Sequence, residues 1–212
     1  MTSAPMSGRK AQAARNDELI LRAARAVFTA DPGAPIAAVA ERAGVGISAL
    51  YRRYPSKEAL LQKLCGDGLK LYIEITERAL ADDGDPWEAF AGYLRGIVDG
   101  DTSSLTIKLA GTFTPTEELG RDSARASELA TEVHHRAVAA GVLRPDVTPA
   151  DIALLFEQLA SIKLGGEERT SELRHRYLAL AMDALRVPPG HRELPSHPPT
   201  DEDLSARWRP AS

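Results

Sequence analysis

Five side chains within ten residues, Ser48, Tyr51, Arg52, Arg53 and Lys57, hold the chemistry most available for recognition in this chain. Hydroxyls and cations at this density suit phosphate oxygens, and an arginine among them can also bond a base edge. The stretch that must present them runs from Pro35 to Lys57, P-I-A-A-V-A-E-R-A-G-V-G-I-S-A-L-Y-R-R-Y-P-S-K. Pro35 fits a first helical position, where its missing N–H costs nothing. Ile36, Val39, Ala40 and Ala43 recur at helical spacing and form a small apolar face. Gly44 breaks that helix and Val45 can plug the turn. A second short helix begins at Ile47 with Leu50 inside, leaving Ser48, Ala49, Tyr51, Arg52 and Arg53 outward or flanking. Such a helix–turn–helix fits the DNA major groove. Any helical hairpin contains a similar turn, so the assignment depends on its surroundings.

Charge is the first of these. The chain is −4 overall, yet residues 1–57 hold nine Lys/Arg against four acids and are +5, leaving −9 for the remainder. A basic end on an acidic body directs one end alone to phosphate. The 212 residues are 43% hydrophobic and 5% aromatic, rich in Ala, Leu, Arg and Glu, which favours helices and permits a sizeable core. Cys65 is the single cysteine, so neither an intrachain disulfide nor a cysteine zinc site is available, which suits a reducing cytoplasm. The start M-T-S-A-P-M-S-G-R-K lacks the apolar core of a signal peptide, and no run is long enough to span a membrane. A cytoplasmic protein, associated with the nucleoid through DNA, is expected.

The positioning elements follow from periodicity and caps. Residues 1–14 are expected as a flexible basic arm carrying Arg9 and Lys10, with Arg15 at its edge. The first helix is expected after Asn16 as N-cap, with Asp17 and Glu18 in its first turn and Leu19, Ile20, Ala23, Ala24, Val27 and Phe28 as its stripe. Asp31-Pro32-Gly33 ends it. Ser56 caps a long fourth helix running through Leu80. Three starts, at Asp85-Pro86, Thr114-Pro115 and Thr148-Pro149, pair a capping side chain with proline and an acid at the third position. They predict helices at about 86–99, 115–140 and 149–164, with a short segment near 102–113 and a final helix at about 168–186. No alternating β-branched stretch competes, and the fold class is all-α. The domains read as 15–60 for the three-helix DNA-binding unit, 61–186 for a helical body, and 187–212, with six prolines, as a disordered tail.

The ordered set I-L-R-A-A-R-A-V-F (Ile20 to Phe28), V-A-E-R-A-G-V (Val39 to Val45), S-A-L-Y-R-R-Y (Ser48 to Tyr54) and P-S-K-E-A-L-L (Pro55 to Leu61) resembles the TetR family of bacterial transcriptional regulators. The resemblance implies about nine helices and a homodimer reading adjacent major grooves of a near-palindromic operator. Gly46, Ile47, Ser48, Ala49, Tyr51 and Arg52 match the family's recognition helix. By the same match Tyr51 and Lys57 meet phosphates, Arg53 takes a position often held by histidine and can serve the backbone, and Leu50 and Tyr54 pack inside. The chain departs from the family at Pro35, where a hydroxyl cap is usual, at Ala37 and Ala38, where polar contacts are usual, and at Gly46.

The resemblance further implies a small-molecule effector bound in the body. Candidate lining comes from Trp87, Phe90, Tyr93, Leu94, Phe113 and Phe156, with Ile97, Leu109 and Leu159 beside them. Aromatic and leucine side chains at this spacing are more often plain core. The last two helices carry more apolar surface than one core face needs, so a dimer interface is expected at Leu155, Leu159, Tyr177, Leu178, Met182 and Leu185. His134 and His135 diverge by about 100° on a helix and cannot share a ligand. No Cys/His spacing implies a metal, and no cofactor is expected. No Gly-rich phosphate loop, G-x-S-x-G elbow or H-E-x-x-H pair supports a helical enzyme. A ligand- or partner-binding regulator without DNA binding is the other alternative, and the retained Tyr51, Arg52, Arg53 and Lys57 weigh against it.

Overall fold

The computed structural model describes residues 8–187 and 193–206. Ten helices occur among them, with no strand: α1 (Gly8–Ala30), α2 (Ile36–Ala43), α3 (Ile47–Arg53), α4 (Lys57–Leu80), α5 (Pro86–Asp99), α6 (Thr102–Leu109), α7 (Glu117–Ala139), α8 (Pro149–Ser161), α9 (Glu167–Leu185) and α10 (Asp201–Ser205). None is long and apolar enough to cross a membrane.

The caps explain most boundaries. Ser56, Asp85 and Thr148 each accept from a backbone N–H three residues on, and Thr148 with Asp151 completes a reciprocal capping box. Three expectations need correction. First, α1 starts at Gly8 rather than after Asn16, because A-Q-A-A-R is good helix-forming sequence and the Asn16 side chain accepts from Gln12 one turn back instead of capping. Arg9 and Lys10 therefore lie in its first turn, and residues 1–7 lie outside the described residues. Second, α7 is capped by Thr116, not Thr114, so Pro115 precedes the helix. Third, Pro35 is the N-cap of α2 in an extended conformation, with no capping side chain.

Two apolar clusters organise the chain. The first joins α1, α2 and α3 to the start of α4 around Phe28, Val39, Leu50, Leu60 and Leu61, and it continues into the body through Leu105, Leu109 and Leu119. The second packs α5, α7, α8 and α9 around Phe90, Tyr93, Leu94, Leu143, Phe156 and Leu178. Helix α4 belongs to both. Helix α6 touches α1, α4 and α8, so it bridges the amino-terminal unit and the body. Cys65 is buried, and burial pushes its thiol up to about 11.

Candidate functional site

The hairpin is built from few constraints. Val39 and Leu50 are fully covered and pin α2 and α3 to α1. Between them Gly44 has φ 65°, a left-handed conformation that disfavours side chains, and its N–H returns to the last turn of α2. With Leu50 turned in, the rest of α3 faces outward. Ile47 is 41% and Tyr51 47% exposed; Gly46, Ser48 and Arg52 are also exposed, and Ala49 is half-buried. Residues 47 and 51, and 48 and 52, stack one turn apart on one side of the helix. These are the groups expected to meet DNA, brought together on one short element.

Two expected contacts carry internal duties. Arg53 forks onto Asp17 of α1, Nε to Oδ1 at 2.7 Å and Nη2 to Oδ2 at 2.9 Å, and the Tyr54 hydroxyl donates to the same Oδ1 at 2.7 Å. Arg53 chiefly, and Tyr54 with it, hold the Asp17 carboxyl below its ordinary range; burial, then Asp17, pushes the Tyr54 phenol up. This cluster fastens α3 to α1. Asp17 was expected to serve the dipole of a helix start; because α1 starts earlier, it is free to bind across to α3. Lys57 donates to the carbonyls of Pro32 at 2.7 Å and Ala34 at 2.9 Å and lies over the Phe28 ring. It ties the α1–α2 turn to α4, leaving one of its three N–H groups for other use. The side chains of Arg9 and Lys10 lie outside the described residues.

In the body, the expected lining is mostly core. Trp87, Phe90, Tyr93 and Leu94 are closed inside the second cluster, where Tyr93 bonds Tyr72 at 2.5 Å between hydroxyls, and Arg186 covers the Trp87 ring. Phe113 packs on the first cluster. Of that set Phe156 alone reaches a cleft of about 640 Å³ between α4, α7 and α8. The correction has a simple physical origin. Ser123, Ala126, Ser127, Ala130 and Thr131 recur at i, i+3, i+4, i+7 and i+8 on α7, facing Ala150 and Ala153 of α8. Side chains this small cannot fill the gap between helices. That stripe was the readable signal; large residues mark the core instead. Leu69, Tyr72 and Phe156 provide apolar walls, and Ser103 and His135 provide polar ones. His134, beside it in sequence, is buried and bonds the Val147 carbonyl, with burial lowering its pKa.

The expected interface also divides differently. Leu159, Leu178, Met182 and Leu185 are buried within the chain, as part of its second apolar cluster. Leu155 is half-buried. Tyr177 at 52% and Leu180 at 56% are exposed, and with Leu173 and Ala184 they recur at i, i+4, i+7 and i+11 along α9. The two apolar stripes of α9 lie on opposite sides, and the core takes the one whose residues interlock with α5 and α8.

Residues 20–64 match the family model described as bacterial regulatory proteins, tetR family. A search of curated proteins returns no match. Among solved structures, the TetR transcription regulatory protein from Mycobacterium vanbaalenii is 28% identical with a TM-score of 0.55, covering 84% of this chain and 99% of that one. The TetR-like transcriptional regulator LfrR from Mycobacterium smegmatis, in complex with proflavine, is 22% identical at TM-score 0.57, covering 78% and 94%. The ketosteroid transcriptional regulator of Mycobacterium tuberculosis is 16% identical at TM-score 0.60, covering 89% and 100%. These likenesses extend the shared fold over the body.

Proposed function

We propose that this chain, whose residues 20–64 match the family model of TetR bacterial regulatory proteins, is a repressor that binds a near-palindromic operator as a homodimer and releases it on binding a small molecule. The reading of α3 as the base-facing element is supported by its outward set, Ser48, Tyr51 and Arg52, on a helix held by Leu50 and the Asp17 cluster. With no hydroxyl cap on α2 or α3, sequence discrimination rests on few side chains. The seam of exposed Tyr177, Leu180 and Ala184 with half-buried Leu173 on α9 is the surface for a second copy.

Effector response is carried by one observation. Helix α6 places Thr102 and Ser103 at the cleft and Leu105 and Leu109 in the apolar cluster of the DNA-reading unit. Its first turn is clamped as well: Arg174 of α9 bonds Asp101 at 2.9 Å and the Ala160 carbonyl at 2.8 Å, and Arg25 of α1 reaches the Asp101 carbonyl. A molecule that prefers one position of α6 thereby biases the spacing of the two DNA-reading units. The cleft volume and its walls, mostly hydroxyl and apolar with His135 and Glu157 as ionisable groups, suit an amphipathic molecule. Protection mapping on the chain's own promoter tests the reading: a symmetric footprint is expected, lost with Tyr51→Ala, and a uniform unprotected pattern refutes it.

A further inference from the structure

The Pro-rich tail reads from sequence as disordered, yet its described part is placed twice against the body. The Leu194 N–H donates to Asp146 Oδ2 at 2.8 Å, and that carboxylate is itself gripped by Arg144 through two bonds at 2.7 and 2.8 Å. The anchor is firm because the Arg144 N–H also bonds the Leu185 carbonyl at the end of α9. Farther on, Pro199, Thr200 and Leu204 line the cleft between α7 and α8. The seat is made by a single turn of helix, α10, which would not persist unaided at five residues. It is locked by a reciprocal capping box: Asp203 N–H donates to Thr200 Oγ1 at 3.1 Å and Thr200 N–H donates to Asp203 Oδ2 at 2.8 Å. Pro199 and Leu204 are half-buried while Thr200, Glu202, Asp203 and Ala206 are exposed, so the turn offers an apolar side to the cleft and a polar one to water.

We propose that residues 193–206 form a wall of the effector site, with Pro199 and Leu204 contacting the bound molecule and the Leu194–Asp146 bond setting the wall's position. This rests on reading the cleft as the effector site. The small residues of α7 and α8 leave the space, and the tail encloses it, so affinity and selectivity for an amphipathic molecule depend on a segment outside the helical body. The stripe of small side chains explains why a wall is needed. Without Leu204 and Pro199 the cleft loses two of its apolar surfaces.

The test uses Nile red, an uncharged apolar dye, with the full chain, Leu204→Asp, and a chain ending at Val187. Dye affinity and hydrogen exchange over residues 123–131 and 149–157 are measured for each. The full chain is expected to bind the dye about tenfold more tightly than either variant, a loss typical of removing one buried leucine contact, and to exchange more slowly in both segments. Equal affinity and equal exchange in all three overturn the proposal, as does a full chain that binds no dye and shows tail-independent exchange. Operator binding separates the two readings. Tail-dependent dye affinity without any effect on operator binding sustains the wall and removes the effector reading. Dye that shifts operator binding equally in all three chains does the reverse.

Discussion

The cluster of Asp17, Arg53 and Tyr54 gives the sharpest stability prediction. Asp17→Ala removes three hydrogen bonds to one carboxylate, two from Arg53 and one from Tyr54, and the two partners respond differently to the loss. The Arg53 side chain is 58% exposed and re-hydrates on release, so its share is about 1 kcal/mol or less. Tyr54 is buried, and its hydroxyl would lose a charged acceptor that water replaces poorly, about 1.5–2 kcal/mol. The total is about 2–3 kcal/mol, or a fall in Tm of about 5–10 °C for a chain of this size. Asp17→Asn keeps an acceptor for the phenol and should lose about 1 kcal/mol. The pH dependence follows in sign. The folded carboxyl lies below its ordinary value of 3.8, so its stabilisation is complete above that value and disappears as pH falls through the lower folded value. Urea unfolding of wild type and both variants is therefore expected to show a constant gap from pH 8 to 5 that narrows below about pH 4. An Asp17→Ala variant within about 0.5 kcal/mol of wild type at pH 7 refutes the reasoning, because a buried phenol cannot lose its acceptor at so small a cost.

Other variants separate structure from recognition. Lys57→Met removes two bonds to the α1–α2 turn and should lower the unfolding free energy in urea by about 1–2 kcal/mol, whereas Tyr51→Ala should leave it unchanged and weaken operator binding. Light scattering is expected to give a dimer that Leu180→Glu makes monomeric with full helicity; Leu178→Glu, whose site is 1% exposed, should instead unfold the chain. Gly96→Ala sets a Cβ 2.7 Å from the buried Ile75 Cγ2, so overpacking of about 1–3 kcal/mol outweighs the helix gain of about 1 kcal/mol and thermal melts should show a net loss. Cys65, with its thiol near 11, should resist alkylation at pH 8 until the protein is unfolded.

The amino-terminal helix–turn–helix unit was legible because its signals are local. Pro35, Gly44 and Ser56 punctuate the chain by backbone chemistry, and Ile36, Val39 and Leu50 mark the inner face by spacing. The body was legible as helices, since Asp85 and Thr148 cap where they stand. What escaped depends on pairing between distant segments. Asp17 looked like a dipole residue until α3 was found beside it. Leu178 and Tyr177 are neighbours of similar apolarity, and only the position of α5 and α8 decides which is covered. Aromatic residues do not mark the cleft, which lies where alanine and serine fail to fill space. The tail's prolines correctly ruled out a long helix, but not the single capped turn at Thr200.

The central claim, that α3 reads DNA for a dimer, is tested most directly by selecting duplexes from a randomised pool with the full chain and sequencing those retained. The account predicts one enriched near-palindrome, with enrichment abolished by Tyr51→Ala in a chain that keeps its Tm and dimeric mass. Retention of no sequence above the starting pool, or equal enrichment by the Tyr51→Ala chain, would contradict it.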